Sequence, residues 1–416
     1  MTDAPPQNRM DRREGNPTEL LAAMANNQWR IARLSARYGN FAKTIFLRRL
    51  YETIAARSVA GARAVSRRTP IEIVAAVSSA CQLSCRMCGI RQVMQEPPYR
   101  GARLSYDDLA PAFREIETWS PRPYVKFTGG EPLLLGDELF RMLDACRRRR
   151  IPTRLSTNGL LLADRDLARE LVGTGVDVVT ISLDGPPEVH DAVRGQKDAF
   201  ARTLAGIGNL AAARQAIGRR GPLIQISSVI QALNAGRLRE TYGLCRGLPI
   251  DWWNVQLLNF LTPDAAVAAD HLAQKWGYAP GPWGAFVRDE LRHFDHAALA
   301  ESVAWIKRRI SPFAISFHRI GGFDAAALRN YYANGELPRQ KKLCAAPFIS
   351  LHLAPNGDFV YCIDYPYIAY GNVRTHSLRD AWRSAAADRF RGLVLDEFRR
   401  TGRTPPQCAR CNWMYN

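Results

Sequence analysis

With 416 residues, 47% hydrophobic and 23% charged, the chain has the make-up of an ordinary soluble globular protein with room for two or three domains. No apolar run approaches ~18 residues, which excludes a transmembrane helix, and residues 1–16 lack the features of a signal peptide. The formal charge of +18 is carried mostly by arginine, as in RRRR at 147–150, and reads either as solvated surface or as attraction to an acidic partner or a membrane surface, with nucleic acid disfavoured.

The expected location is the cytoplasm, with a membrane-peripheral position as the second reading. The nine cysteines would be reduced there, so clustered spacing points to metal binding rather than disulfides.

Residues 1–16 are polar and expected to be disordered. Residues 17–70 form a basic helical extension. Leu20, Leu21, Met24, Ile31 and Leu34 recur at helical spacing, as do Phe41, Ile45, Phe46, Leu50 and Ile54, with arginines and lysine interspersed. Such helices either pack on the body of the protein or present a basic amphipathic face to a membrane or partner.

Six β-rich runs follow in alternation with helical stretches: IEIVAAV (71–77), YVKFTGG (124–130), TRLSTNG (153–159), DVVTISLDG (177–185), LIQISSVI (223–230) and DWWNVQLLN (251–259). This alternation predicts an α/β fold, a partial (β/α)6 TIM-like barrel over 71–261 with its ligands at the C-terminal ends of the strands. Residues 262–337 read as a mostly helical connecting segment. Residues 338–416, bounded near Pro338, form a small C-terminal domain.

After the first strand, SSACQLSCRMCGI places Cys81, Cys85 and Cys88 within eight residues. A [4Fe–4S] cluster needs four ligands, so three thiolates leave one iron open. A zinc site with a distant fourth ligand is the rival reading. The later strand ends carry FTGGEP (Gly129, Gly130, Glu131, Pro132), LSTNG (Ser156, Asn158) and ISLDGPPEVHDAVRG (Ser182, Asp184, His190, Asp191, Arg194).

On these motifs, in this order, the chain resembles the radical S-adenosylmethionine (radical SAM) superfamily from residue 71 to about 260. The resemblance implies a SAM-binding [4Fe–4S] cluster on Cys81, Cys85 and Cys88, with SAM on its open iron. It implies that the GGEP segment meets the SAM ammonium and that Ser156 and Asn158 reach the ribose or carboxylate. Ser182 and Arg194 would hold the carboxylate, arginine by a charge-assisted fork, and Val229 would offer backbone to adenine. Met87 stands where the family often has an aromatic residue resting on adenine, and a thioether can fill that contact. Asp184 is read as orienting a turn, and His190 and Asp191 as ordering the next helix.

Near the end of the chain, Cys344 and Cys362 bound the stretch CAAPFISLHLAPNGDFVYC, a hairpin turned at PNGD, and Cys408 and Cys411 follow in the tail. This region resembles the twitch domain, the shortened relative of the SPASM domain. It implies one auxiliary [4Fe–4S] cluster with every iron ligated, a four-cysteine zinc site being the rival. Cys146 and Cys245 lie inside helical patterns and read as buried structural residues.

The expected function is reductive cleavage of SAM to a 5′-deoxyadenosyl radical that abstracts hydrogen from an unactivated C–H bond. Net oxidation or bond formation would be assisted by the auxiliary cluster. Small-molecule, peptide (as in maturases of ribosomally made peptides) and lipid substrates all stay open, and a non-catalytic iron–sulfur or zinc protein is the remote alternative. An acidic electron donor such as flavodoxin or ferredoxin is the expected partner. Gln256 and Asn259 are read toward the pocket, and Asp364 as a candidate base.

Overall fold

The computed structural model describes residues 17–37, 39–218, 221–288, 290–317, 323–334, 343–362 and 368–411. Residues 1–16, Pro338 and Asp364 therefore lie outside the described residues.

The six β-rich runs form β1 (Glu72–Ser78), β2 (Tyr124–Gly129), β3 (Thr153–Thr157), β4 (Val178–Ser182), β5 (Leu223–Ile230) and β6 (Trp252–Leu257), parallel and adjacent in that order. Val125, Phe127, Leu155, Ile181, Ile226 and Val255 bury one face of the sheet in the main core. The other face is polar. The parallel registers align Ser156 with Thr180, Thr180 with Gln225, and Ser182 with Ser227. Such partition is what period-2 strands give when one face meets helices and the other lines a barrel interior.

The sheet continues beyond these six strands. Within the segment read as mostly helical, β7 (Ala314–Phe317) pairs in parallel with β6. On the other side, β8 (Ser350–Leu353) pairs in parallel with β1, and β9 (Asp358–Val360) and β10 (Ala369–Asn372) follow antiparallel. The PNGD hairpin is therefore an extension of the barrel sheet. Its turn needs Gly357, whose φ of +92° is disfavoured for residues with a side chain. Burial on both flanks explains why β1 is buried at every position.

Three N-terminal helices, α1 (Pro17–Arg37), α2 (Gly39–Arg57) and α3 (Val59–Ser66), close the end opposite the cysteine loop. The Asn27 side-chain amide donates to the Ile315 carbonyl at 3.0 Å and accepts from its N–H at 2.8 Å, satisfying an edge residue of β7. Leu34 packs against Val178, Leu223 and Trp252 at strand starts.

From α2, Arg48 donates to the Tyr124 hydroxyl at 2.8 Å, and Tyr124 donates to Glu72. Burial pushes the Glu72 carboxyl up, but Arg48 beside it and the Tyr124 hydroxyl more than reverse this, leaving it below the usual carboxylate range. Leu21, Met24, Trp29, Phe46, Leu50 and Ile54 stay exposed on α1 and α2. Among the described residues no helix is long and apolar enough to cross a membrane.

His352 on β8 is buried, and neither ring nitrogen has a hydrogen-bond partner. Burial holds its imidazole down at about 4, against the pull of Glu72 and helped by Lys126 and Arg48. His190, also buried, is likewise held at about 4, by burial and by Arg194. An unfolded histidine titrates near 6.5, so between ~6.5 and ~4 the unfolded chain binds more protons than the folded one. The stability these neutral imidazoles contribute is complete above that window and lost as pH falls through it, about 3 kcal/mol for each. Tm should therefore drop on acidification across the window, and His352→Gln should flatten the drop. Parallel Tm–pH curves for the two proteins would remove His352 from this account.

Candidate active site

The cysteine loop leaves the C-terminal end of β1 and is held from two sides by glycines. Gly130 donates to the Ser78 carbonyl and Glu131 to the Ala80 carbonyl, each at 2.7 Å. A Cβ on Gly130 would lie 2.1 Å from Ala80 O, and one on Gly129, where φ is +130°, 2.4 Å from Ser78 O. On the other side a Cβ on Gly195 would lie 2.5 Å from Ser84 O, while Arg86 donates to the Val193 carbonyl at 3.1 Å. The glycines of the GGEP turn thus let backbone approach the cysteine loop. That contact is not evident in the sequence, where the resemblance implies only that the segment meets the SAM ammonium.

Cys81 and Cys85 pack beside Leu83, Leu160 and Ala199. Cys88 caps the short helix Gly89–Val93 and accepts from the Arg91 N–H at 3.3 Å. Burial pushes the Cys81 thiol up to about 11. It raises Cys88 too, against the Arg91 amide and the charges of Arg194 and Arg288. Both are poor free nucleophiles as thiols; a bound metal would deprotonate them outright.

Glu131 is fully buried, with its oxygens turned to protein donors: Thr157 Oγ1 and the Asn158 N–H at 2.8 Å, and the Leu133 N–H at 3.1 Å. Burial raises it despite these bonds. Its carboxylate ties the GGEP turn to the end of β3.

Asp184 performs the same task between β4, β5 and the helix Pro187–Arg194. One oxygen accepts from the Val229 N–H at 3.0 Å, and the other pairs with Arg194 at 2.5 Å in a buried ion pair. Burial alone would disfavour the Arg194 cation, but Asp184 and Cys85 more than compensate, raising its pKa. Arg194 Nη1 reaches the Cys85 sulfur at 3.8 Å. The role of Asp184 therefore exceeds turn orientation. His190 Nδ1 accepts from the Asp184 N–H at 3.2 Å, and Asp191 accepts from Asp198 and Phe200 N–H groups at the start of the helix Ala199–Ala216.

Ser156, Ser182 and Val229 are half-buried near the C-terminal ends of their strands, and Met87 packs against the core. Pro132 is buried at the first position of a 3-10 turn. Gln256 donates to Ser227 Oγ at 2.9 Å. Asn259, also read toward the pocket, points its amide at the Cys411 sulfur at 3.9 Å.

The segment of Cys408 and Cys411 is tied to the end of β6 through Tyr331. The Tyr331 hydroxyl donates to the carbonyls of Leu258 at 2.8 Å and Arg410 at 2.5 Å, and Arg410 Nε donates back to the Tyr331 carbonyl at 2.8 Å. Cys411 donates its N–H to the Cys408 carbonyl at 3.1 Å. Cys146 and Cys245 are fully buried in the main core, away from either set.

Among the described residues no three His, Cys, Asp or Glu side chains are gathered tightly enough for a single ion. The fit to iron–sulfur clusters therefore rests on donor type and number, three thiols in one set and four in the other. The fit to SAM rests on buried polar atoms beside the first set that have no protein partner: Asn158 Nδ2, Gln82 Oε1 and Arg194 Nε. Such atoms are costly unless something hydrogen-bonds them.

Comparison with known proteins matches the two segments that carry the cysteines. Residues 76–218 match the radical SAM superfamily model, and residues 344–412 match the SPASM iron–sulfur cluster-binding domain. An AdoMet-dependent heme synthase of Nitratidesulfovibrio vulgaris is 30% identical over 186 residues, 44% of this chain and 46% of that one, so the match spans less than half of the relative. A tungsten-containing aldehyde ferredoxin oxidoreductase cofactor-modifying protein of Pyrococcus furiosus is 25% identical over 337 residues, 81% of this chain and 85% of the relative. The crystal structure of Streptococcus suis SuiB shares the fold at a TM-score of 0.55 and 17% identity, covering 79% of this chain and 69% of SuiB. Residues 76–218 are thus a radical SAM superfamily domain, and residues 344–412 a SPASM-type iron–sulfur cluster-binding domain.

Proposed function

We propose that the enzyme abstracts hydrogen from an unactivated C–H bond of an organic substrate for net oxidation or bond formation, assisted by one auxiliary [4Fe–4S] cluster. The observation that carries this is the hydrogen bond from Arg194 to Cys85, in a loop whose three cysteines would leave one iron of a [4Fe–4S] cluster unliganded, in a chain whose SPASM-matching segment holds four further cysteines.

When bound, the two clusters and SAM supply the electron transfer and the 5′-deoxyadenosyl radical this chemistry needs. Cys81, Cys85 and Cys88 would hold the first cluster, and Cys344, Cys362, Cys408 and Cys411 the second. Asn158, Gln82 and Arg194 have the free donors and acceptor to orient the polar groups of SAM. Ser182, Ser156 and Val229 line the same strand ends, and the core packed behind them excludes water.

A small-molecule or peptide substrate is supported by the relatives: one is named a heme synthase, and one SuiB structure is bound to the precursor peptide SuiA. The charge of +18 supports an acidic electron donor such as flavodoxin or ferredoxin. The exposed apolar side chains of α1 and α2 support a membrane-surface contact or a lipid substrate.

Anaerobic reconstitution should load about eight irons, and SAM with dithionite should yield 5′-deoxyadenosine. Alanine at Cys81, Cys85 and Cys88 together should abolish cleavage while about four irons stay bound. Zinc in place of iron, or no cleavage by the wild type, would sink the reading.

A further inference from the structure

Past the end of β6 the chain returns along its own strand. Leu261 donates to the Phe286 carbonyl at 2.9 Å and Arg288 donates to the Leu261 carbonyl at 3.2 Å, forming a parallel bridge between Leu261 and Val287. The same return presses on the cysteine loop. A Cβ on Gly89, the residue after Cys88, would lie 2.6 Å from the Phe286 ring and 2.8 Å from the Ala285 carbonyl. Arg288 is thereby carried to the reactive end of the barrel, close enough for its charge to act on Cys88.

Arg288 is 8% exposed, and among the described residues the one hydrogen bond of its side chain runs from Nη1 to the carbonyl of the preceding residue, Val287, at 2.7 Å. Nε and Nη2 are buried without hydrogen-bond partners among the described residues. The other buried arginines each make at least one bond to a carboxylate or to a carbonyl on another element. Arg194 pairs with Asp184, Arg391 with Asp388 and two carbonyls, and Arg410 donates to the Tyr331 carbonyl. A buried guanidinium without a counter-charge costs several kcal/mol, so a fold that keeps one holds it for something that arrives later. Nε and Nη2 are the edge of the guanidinium that grips a planar or tetrahedral oxyanion with two parallel N–H bonds.

We propose that Arg288 is a substrate-binding residue that takes an oxyanion group of the substrate, a carboxylate or a phosphate, and fixes it beside the Cys88 end of the active site. The assignment rests on the radical SAM reading for what lies next to it, and adds the chemical class of substrate. It also explains why the segment after β6, outside the family motifs, is bridged to the barrel: the bridge sets the depth of the cation.

The test measures binding of two probes, inorganic phosphate and acetate, to the anaerobically reconstituted enzyme at 0.15 M salt, where exposed arginines are largely screened (Debye length about 8 Å). Wild type should bind at least one probe saturably. Arg288→Met should weaken it about tenfold or more, and Arg288→Lys, which keeps the charge but loses the fork, by a smaller factor. Which probe binds more tightly separates a carboxylate from a phosphate substrate.

Equal probe affinity in wild type and Arg288→Met would overturn the proposal. So would displacement of the probe by SAM alone, which would give Arg288 to the carboxylate of SAM. Where Arg288→Met fails to fold, the Lys variant decides: unchanged affinity there overturns the fork. SAM cleavage by the wild type is scored separately, so its failure would reject the enzyme reading and leave the anion result standing.

Discussion

Gly130→Ala is expected to strip the iron of the three-cysteine site while sparing the auxiliary set. The new methyl would sit 2.1 Å from Ala80 O, 2.7 Å from Ala80 C and 2.9 Å from Ser79 O, all of them backbone atoms. No side chain can swing away to relieve this, so the loop that begins at Ala80 must move. Its movement breaks the 2.7 Å bonds from Gly130 to Ser78 and from Glu131 to Ala80, one residue before Cys81. Overpacking of this kind typically costs 1–3 kcal/mol, and with two buried hydrogen bonds lost a total of roughly 3–5 kcal/mol is expected. Iron analysis should fall from about eight to about four per chain, and 5′-deoxyadenosine formation should disappear. A variant with full iron content and unchanged Tm would show that the loop is not clamped there.

The second large effect is Asp184→Asn. The substitution keeps the acceptor for the Val229 N–H, because an amide oxygen can replace Oδ1. It removes the only negative charge paired with Arg194 among the described residues and turns an NH2 toward that guanidinium. Breaking one side of a buried pair costs about 3–5 kcal/mol. Because Arg194 also reaches Cys85, SAM binding and cluster retention should weaken along with Tm. Arg194→Met alone should be harmful as well. The double variant should be less destabilised than the sum of the two singles, since neither charge is then left alone. Strict additivity would argue that the two side chains do not act as a pair.

Much of this was legible in the chain because the signals are local. Cysteine spacing sets the number of donors at each site, β-branched and aromatic runs set the six core strands, and PNGD sets a hairpin turn. The action of Asp191 on the start of the next helix was readable for the same reason: its partners, the amides of Asp198 and Phe200, lie within nine residues. β7 was not legible. Four residues, AISF, carry too little pattern to be told from a helical segment, and they become a strand because β6 offers an edge and Asn27 satisfies the far side.

The same division runs through the site. The sequence by itself determined which side chains could do the chemistry: three thiols after β1, four near the far end, and the polar residues at the strand ends. The tertiary structure decided what each one faces. It turned Glu131 toward β3, joined Asp184 to Arg194, set Asn259 against Cys411 and left two nitrogens of Arg288 buried without a hydrogen-bond partner among the described residues. It also laid the hairpin that follows Cys344 along β1, 278 residues from its partner Glu72. Propensity and spacing act over a few residues, whereas sheet register and the pairing of buried charges act across the whole chain, and only the folded molecule brings those partners together.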